Sequence, residues 1–526
     1  MAIAQKSINP ISPGPKISFT PCASAAKSAL HLPPPMKFTF LLLTLIHAVA
    51  IQAADLKLAA IFSDHMVLQN GVSVTVWGTA DAGAMVSVAF AGQKQSAVAD
   101  GEGRWLTKLD SLAVSEAPQT MVVSCGGMEQ KCEDVLVGEV WHASGQSNME
   151  MNVGSVAAGL EVVKAQMNQW NLPAIRFRSV KPGESATPLS EVAPGSWQLC
   201  SPSTVTNFSA AAFFFARRLH AELKVPVGVI DTSRGGTPIE PYIPLEAFAD
   251  HSTLRRELEL GDQNDLAGLK ALPGGVFARD ANWLPGRLFN SRLAPLARFP
   301  VRGVIWYQGE SNSGVEEDPR EYEQKMRALM NGWRAAFHQE KLPFYFVQLP
   351  VGGAGDNWPQ LREEQRRCAG LPHAGMAVTI DLEGSDIHPL NKVDVGERLA
   401  KWALAKDYGQ PIAFSGPLFS RAEMADGKFL VHFEHVGSGL MVGKKVGLEV
   451  PVETPGIALK HFELQNEAGA WFPADAEIAG QVVIVKSAQV QNPRSVRYAF
   501  SKVPLGCNLF NRDGLPGAPF TTEEKK

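Results

Sequence analysis

Cysteine is scarce and poorly placed for a scaffold. Six residues (Cys22, Cys125, Cys132, Cys200, Cys368 and Cys507) are spread over 526 positions with no C-x2-C pair. That argues against both a disulfide framework and a zinc cluster. Cys125 and Cys132 are spaced either to bridge a hairpin or to remain buried thiols. A basic excess is missing too. The formal net charge of −4 offers no field to hold a polyanion, so no nucleic-acid partner is expected. Beyond residue 53 no stretch reaches the ~18 uninterrupted apolar residues of a spanning helix, so no membrane anchor is expected after it. There is no internal repeat and no H-x-x-x-H ligand pattern, so neither a solenoid nor a metal-dependent hydrolase built on Asp386 and His388 is favoured.

What remains is an ordinary globular composition, 45% hydrophobic and 19% charged. Gly (47) and Pro (36) together make up about 16%, above the usual ~12%. Such a chain suits a loop-rich enzyme with β segments better than a helical bundle.

Residues 1–35 are rich in Pro, Ser, Ala and Lys and show no period. Met36-Lys37 then opens an apolar run from Phe38 to Ala50, which ends in the small-residue pattern Ala48-Val49-Ala50 and is followed by Ala53. This reads as a signal peptide over 36–53, with 1–35 an upstream extension and Met36 the expected start. The mature protein is then expected to be secreted or periplasmic.

Residues 54–135 alternate as short strands, among them Val72–Trp77, Met85–Phe90 and Met121–Cys125, and predict a small N-terminal β domain. From 136 to 409 the pattern becomes apolar strand, turn, helix. Five nearly all-apolar strands (Val135–Ala143, Val225–Asp231, Val301–Tyr307, Phe344–Leu349 and Met376–Asp381) predict a parallel sheet covered on both faces, an α/β doubly wound domain. Helices are expected at Ser209–Lys224, after Asp318-Pro319 (with Tyr322, Met326, Leu329, Trp333 and Phe337 on one face) and at Lys392–Tyr408. Residues 245–300 read as an irregular insertion. Strands return over 410–526, a C-terminal β domain.

Four strand ends carry chemistry. Gly145-Gln-Ser-Asn148 places Ser147 at an elbow, where it reads equally as a nucleophile beside helix N–H groups or as the cap of that helix. The second Gly of G-x-S-x-G is lacking, so the usual α/β-hydrolase elbow is not supported. Asp231-Thr-Ser-Arg-Gly-Gly-Thr237 brings Gly235 and Gly236 to a second loop, and Gln308-Gly-Glu310 lies at a third. In the fourth loop His388, followed by Pro389, is placed to act as general base for Ser147, with Asp386 and Asp381 near enough to orient it.

Taken with Ile61–Gln69, Gly138–Met149, Gly235–Glu240, Trp306–Asn312, Asp386–Pro389 and the ending Gly514-Leu-Pro516 with Pro519-Phe520, the chain closely resembles the sialate O-acetylesterase family, a branch of the SGNH (GDSL-like) hydrolases. The resemblance covers nearly all of the mature chain. It implies an SGNH-type, flavodoxin-like parallel sheet flanked by β-sandwich-like domains, and a secreted serine carbohydrate esterase acting on O-acetylated carbohydrate without a metal or organic cofactor. It also implies Ser147 as nucleophile, His388 as base, and an oxyanion hole from Ser147, Gly235 or Gly236, and Gln308. The acid that stands three residues before the His in many SGNH enzymes is replaced by Ser385. Asp386 is ranked first for that role and Glu310, as in acetyl-xylan-type esterases, second, with a Ser–His dyad also open. Arg234 is placed to pair with a sugar carboxylate, or to serve as an ordinary ion-pair residue, and Asn148 is a further substrate contact. Trp141, Trp306 and Tyr307, on strands, are expected to pack in the core rather than stack on sugar. Deacetylation of a plant or algal polysaccharide fits the same catalytic parts. A non-catalytic carbohydrate-binding protein would leave the Ser147/His388 pairing without a purpose.

Overall fold

The computed structural model describes residues 55–524 apart from 182, 250–251, 264, 273–282, 315–317, 354–355, 383 and 385. The expected extension 1–35 and signal peptide 36–53 lie outside the described residues, as do Cys22 and Ser385.

The centre of the protein is a mixed sheet built around β1 (Met128–Gly145), β2 (Val227–Asp231), β3 (Gly303–Tyr307), β4 (Phe344–Val347) and β5 (Ala374–Ala377). These five lie in the order β2-β1-β3-β4-β5, all parallel where they pair. Leu172–Ser179 adds a further parallel strand outside β2, and Gln198–Cys200 closes that edge antiparallel. β1 is unusually long. Its first half pairs antiparallel with Ser115–Cys125, and its second half is the middle of the parallel sheet. One continuous strand therefore crosses the 135/136 position and ties the N-terminal strands to the α/β layer.

The all-apolar strands have a simple cause. Trp141 and Ala143 of β1, Ile305 and Tyr307 of β3, and Tyr345 and Val347 of β4 join one core cluster. Their alternates Val140, Val304, Trp306, Phe344 and Phe346 join the other. Side chains alternate across a strand, so a sheet covered on both faces needs apolar residues at every position. The helices supply those covers. A short helix α1 (Ser147–Glu150) follows β1. Helix α2 (Ala210–Leu223) is N-capped by Ser209, whose hydroxyl accepts from Ala212 N–H, and ends on Lys224 at φ 55°. Helix α3 (Tyr322–Ala336) follows a turn capped by Asp318, and α4 (Trp358–Cys368) packs beside it. Helix α5 (Lys392–Lys406) is capped by Asn391 and packs on α2. Helices α2 and α5 cover one face, α3 and α4 the other.

The insertion differs from expectation. Ser252–Asp262 and Leu266–Ala271 are helical, and Phe289–Leu293 forms a π turn. Glu257 of the first helix is fully buried against Lys325 at 3.2 Å, so a charge sits where a helical apolar stripe would be sought. The fifth strand also ends earlier than expected, at Ala377; the next carbonyl, that of Val378, accepts from Arg398 at 2.6 Å, and the same guanidinium holds Asp381 in a two-pronged pair at 2.6 and 2.7 Å. Beyond 410 the chain forms separate antiparallel sheets. They are tied to the α/β layer by the buried Arg362 of α4, which donates to the carbonyls of Ser501 and Lys502 at 2.9 Å. Cys125 and Cys132 do not pair and are buried free thiols, as is Cys200. Among the described residues no helix is long and apolar enough to cross a membrane.

Candidate active site

The carboxyl ends of β1, β2 and β3 and the loop after β5 converge on one edge of the sheet, where ligands bind in open α/β sheets. Gly145 ends β1 at φ +132°, and a Cβ there would collide with the Tyr307 carbonyl on β3. Only glycine lets the chain turn so close to its neighbour. Ser147 is the first residue of α1, and Gln146, not Ser147, occupies the cap position. The Ser147 hydroxyl is instead engaged by His388, with Oγ 2.8 Å from Nε2.

His388 is held mainly through its backbone. Its N–H donates to Asp386 Oδ1 at 2.6 Å, whereas its Nδ1 stands 3.6 Å from the same oxygen, too far for a hydrogen bond. The Asp386 side chain is 65% exposed. Burial pulls the imidazole below its ordinary pKa, the nearby Lys392 pulls the same way, and Asp386 opposes them. A mostly neutral imidazole near neutral pH follows. Asp381, considered for the same orienting task, is consumed by Arg398.

Glu310, the alternative acid, is buried but is bonded to Asn148 and not to the imidazole. Its carboxylate accepts from Asn148 Nδ2, and burial raises its pKa against that hydrogen bond. Asn148, expected at the substrate, lies completely buried beneath the loop. Its amide also donates to the Ile387 carbonyl at 2.9 Å, and its Oδ1 accepts from Lys392 Nζ at 2.7 Å. With both ends of its amide committed, it acts as a brace.

The expected oxyanion donors divide. Ser147, at the first helical position, has an N–H without an intrahelical acceptor. The Gly235 N–H lies in the same corner, since a Cβ there would sit 3.7 Å from Ser147 Cβ, but it donates to Glu150 Oε2 at 2.6 Å. Gly236 turns at φ +73°, and its carbonyl accepts from the Ser311 hydroxyl at 3.0 Å. Gln308 is fully buried. Its amide donates to Asn312 Oδ1 at 2.7 Å and to Gln146 Oε1 and the Thr237 carbonyl, both at 3.2 Å. Both of its N–H groups are spent on bracing Gln146 and the glycine loop. Arg234 pairs with Glu184, its ion-pair alternative. Trp141, Trp306 and Tyr307 are all core residues.

Two residues of this corner were not foreseen, Gln146 and Lys392. Gln146 Oε1 receives the backbone N–H of Ser311 at 3.2 Å as well as the Gln308 amide. Lys392 had one sequence signal: a cation in the first turn of a helix opposes the helix dipole. Among the described residues no cluster of three or more His, Cys, Asp or Glu side chains is placed to hold a metal ion.

A cavity of about 640 Å³ adjoins the site, bounded by His388, Leu390 and Asn391 on one side and by Lys444, Ile457 and Lys460 on the other. Lys445, also at its wall, is spent on Asp394 at 2.6 Å. A larger cavity of about 990 Å³ opens at the opposite, amino edge of the strands, around Arg302 and Pro343, and holds none of these residues.

A hydroxyl hydrogen-bonded to an imidazole at the strand ends of an α/β sheet is equipment for acyl transfer. The sequence profile of the family described as carbohydrate esterase, sialic acid-specific acetylesterase, matches residues 280–405. The sialate O-acetylesterase of Rattus norvegicus is 28% identical over 91% of this chain and 97% of its own length. That of Homo sapiens is 28% identical over 88% and 92%. The crystal structure of a carbohydrate acetylesterase from Xanthomonas citri superposes with a TM-score of 0.78 at 34% identity, covering 89% of this chain and all of that one. The chain belongs to the carbohydrate acetylesterases, carries a segment matching the sialic acid-specific acetylesterase profile, and is a carboxylic ester hydrolase.

Proposed function

We propose that the protein is a serine esterase of SGNH type that removes O-acetyl groups from sugars, with sialic acids as the substrate class, and that the 36–53 segment directs its export. The 2.8 Å contact between Ser147 Oγ and His388 Nε2 carries the catalytic reading, and the position of the Ser147 strand β1 between β2 and β3, where the strand order reverses, supports the doubly wound one. His388 takes the hydroxyl proton as Ser147 Oγ bonds to the acetyl carbonyl carbon. The Ser147 N–H, joined by Gly235 once Glu150 yields it, stabilises the oxyanion, each such donor being worth roughly 2.7–4 kcal/mol. The bond from carbonyl carbon to sugar oxygen then breaks, and the sugar leaves with the proton from His388. Water, deprotonated by the same imidazole, attacks the acetyl-serine and releases acetate, returning the proton to Ser147.

The sialate reading draws on the cavity beside His388. Lys444 and Lys460 are exposed there and enter none of the ion pairs among the described residues, so they are available to an anionic sugar, while Leu390 and Ile457 offer apolar surface. Arg234, committed to Glu184, is less available. A neutral polysaccharide ester is the second reading, which the 34% identical carbohydrate acetylesterase fits equally well.

The deciding experiment measures acetate release from an O-acetylated sialic acid and from acetylated xylan, with wild type and Ser147→Ala. Release from the sialic acid by wild type alone is expected. Turnover that survives in the variant would remove Ser147 from the mechanism, and a preference for xylan would select the second reading. N-terminal sequencing of the exported protein, expected to begin near residue 54, tests the signal segment.

A further inference from the structure

A buried set of polar groups lies beneath the site with no part in the chemistry above. Lys392, the first residue of α5, is wholly enclosed. Its ammonium donates to the Pro389 carbonyl at 2.6 Å and to Asn148 Oδ1 at 2.7 Å, and stands 5.6 Å from the centre of the Tyr307 ring. The Asn148 amide donates in turn to the Ile387 carbonyl at 2.9 Å and to Glu310 Oε1. Glu310 Oε2 is buried without a hydrogen-bond partner among the described residues. Burying an ammonium and a carboxylate is costly, and the start of a helix is the wrong end for a cation. The arrangement therefore needs a compensating task, and its geometry names one. The two carbonyls it grips, Ile387 and Pro389, are those on either side of His388.

We propose that Lys392 is a positioning residue for the hydrolytic reaction. With Asn148 and Glu310 it forms a buried bridge that clamps the backbone flanking His388 and aims the imidazole at Ser147. This rests on the Ser147–His388 reading. In a Ser-His-Asp triad an aspartate bonded to Nδ1 holds the ring. Here Nδ1 lies 3.6 Å from Asp386, whose Oδ1 already accepts the His388 N–H. The orientation is imposed from the chain instead of from the ring.

The bridge also places charge. Lys392 faces Glu310, Asp386, His388 and the Tyr307 ring. Burial brings its ammonium down to about 7, against the pull of Glu310 and Asp386. Its positive charge holds the His388 pKa down, so removing it must raise that pKa.

The test compares wild type, Ser147→Ala, Lys392→Met, Lys392→Arg and Glu310→Gln in acetate release from an O-acetylated sialic acid and from 4-nitrophenyl acetate, with folding checked by circular dichroism. A displaced catalytic group costs roughly 10- to 100-fold. Lys392→Met is expected to lose that much in kcat, with KM within about twofold and the acidic limb of kcat/KM moved to higher pH. Lys392→Arg is expected to recover part of kcat and to keep the limb in place. Glu310→Gln is expected to lose at least about threefold in kcat, with KM unchanged. A folded Lys392→Met with wild-type kcat and an unmoved limb overturns the clamp. If Lys392→Met does not fold, unchanged kcat in Glu310→Gln overturns it. Turnover that survives in Ser147→Ala overturns the parent reading instead, so the two failures are distinct.

Discussion

Ser147 Oγ and His388 Nε2 lie 2.8 Å apart although 241 positions separate the residues in the chain. The fold closes that gap from two directions, β1 delivering the serine and the loop between β5 and α5 the histidine. Among the described residues no acid is bonded to the other ring nitrogen, which sets the first expectation. Asp386→Asn keeps an oxygen to accept the His388 N–H and removes only the charge. It should cost less than about tenfold in kcat/KM, far from the ~10⁴ of a triad aspartate. Because Asp386 raises the His388 pKa, the acidic limb should move to lower pH. A loss beyond ~10³ in a folded variant would show that Asp386 serves as the third triad member.

The base must be neutral to accept the serine proton, so activity falls as pH drops through the His388 pKa. Burial and Lys392 depress that pKa, and Asp386 only partly opposes them. The half-point of the acidic limb of kcat/KM is therefore expected below 6.5, the ordinary histidine value. A half-point at 6.5 or above would contradict the environment seen around the ring.

The cavity beside His388 gives a charge-specific expectation. Replacing Lys444 and Lys460 together by alanine should raise KM for an O-acetylated sialic acid several-fold and weaken its salt sensitivity. Hydrolysis of the uncharged 4-nitrophenyl acetate should be unaffected. Equal effects on both substrates, or none on either, would remove these lysines from recognition.

Gly235 can be tested by adding a single methyl group. A Cβ there would meet Glu150 Oε2 at 2.8 Å and rest at an ordinary contact distance of 3.7 Å from Ser147 Cβ. The backbone N–H survives the change and only the mobile Glu150 carboxylate must give way, so Gly235→Ala is expected to stay well short of the ~10²-fold loss of a misplaced catalytic group, while circular dichroism stays native. A kcat loss beyond ~10² in a folded variant would show that the glycine loop cannot yield at this position.

Gly145→Ala should act on folding as well as on rate. Its φ of +132° and the crowding against the Tyr307 carbonyl lead to a loss of about 1–3 kcal/mol, measured by urea denaturation, together with loss of the elbow that presents Ser147. A variant as stable as wild type would mean that the turn relaxes freely.

Much of this architecture was readable because it depends on periodicity and local steric rules. The five apolar strands, the capped helices after Ser209 and Asp318, and the polar residues clustered at strand ends follow from side-chain alternation, cap chemistry and the cost of burying polar groups. The helix Ser252–Asp262 was not readable, since Glu257 interrupts its buried face and its partner Lys325 is 68 positions away. The roles of Asn148, Gln308 and Glu310 illustrate the same limit. Their positions at the site follow from the motifs, but an amide or carboxylate can face substrate or brace a loop with equal chemical competence.

The alternation of strand and helix, the sharp glycine turn at Gly145, and the presence of a serine and a histidine at the ends of strands of one sheet were already written in the order of residues. Those features arise from backbone sterics and hydrophobic period, which are local. Which groups meet was set by the assembled fold. It placed Nε2 of His388 on Ser147, left Asp386 bonded to backbone, turned Gln308 inward, and set Lys392, Asn148 and Glu310 under the histidine loop. Hydrogen bonds are fixed by distances of a few tenths of an ångström, and such distances between residues hundreds of positions apart exist only once the sheet has assembled.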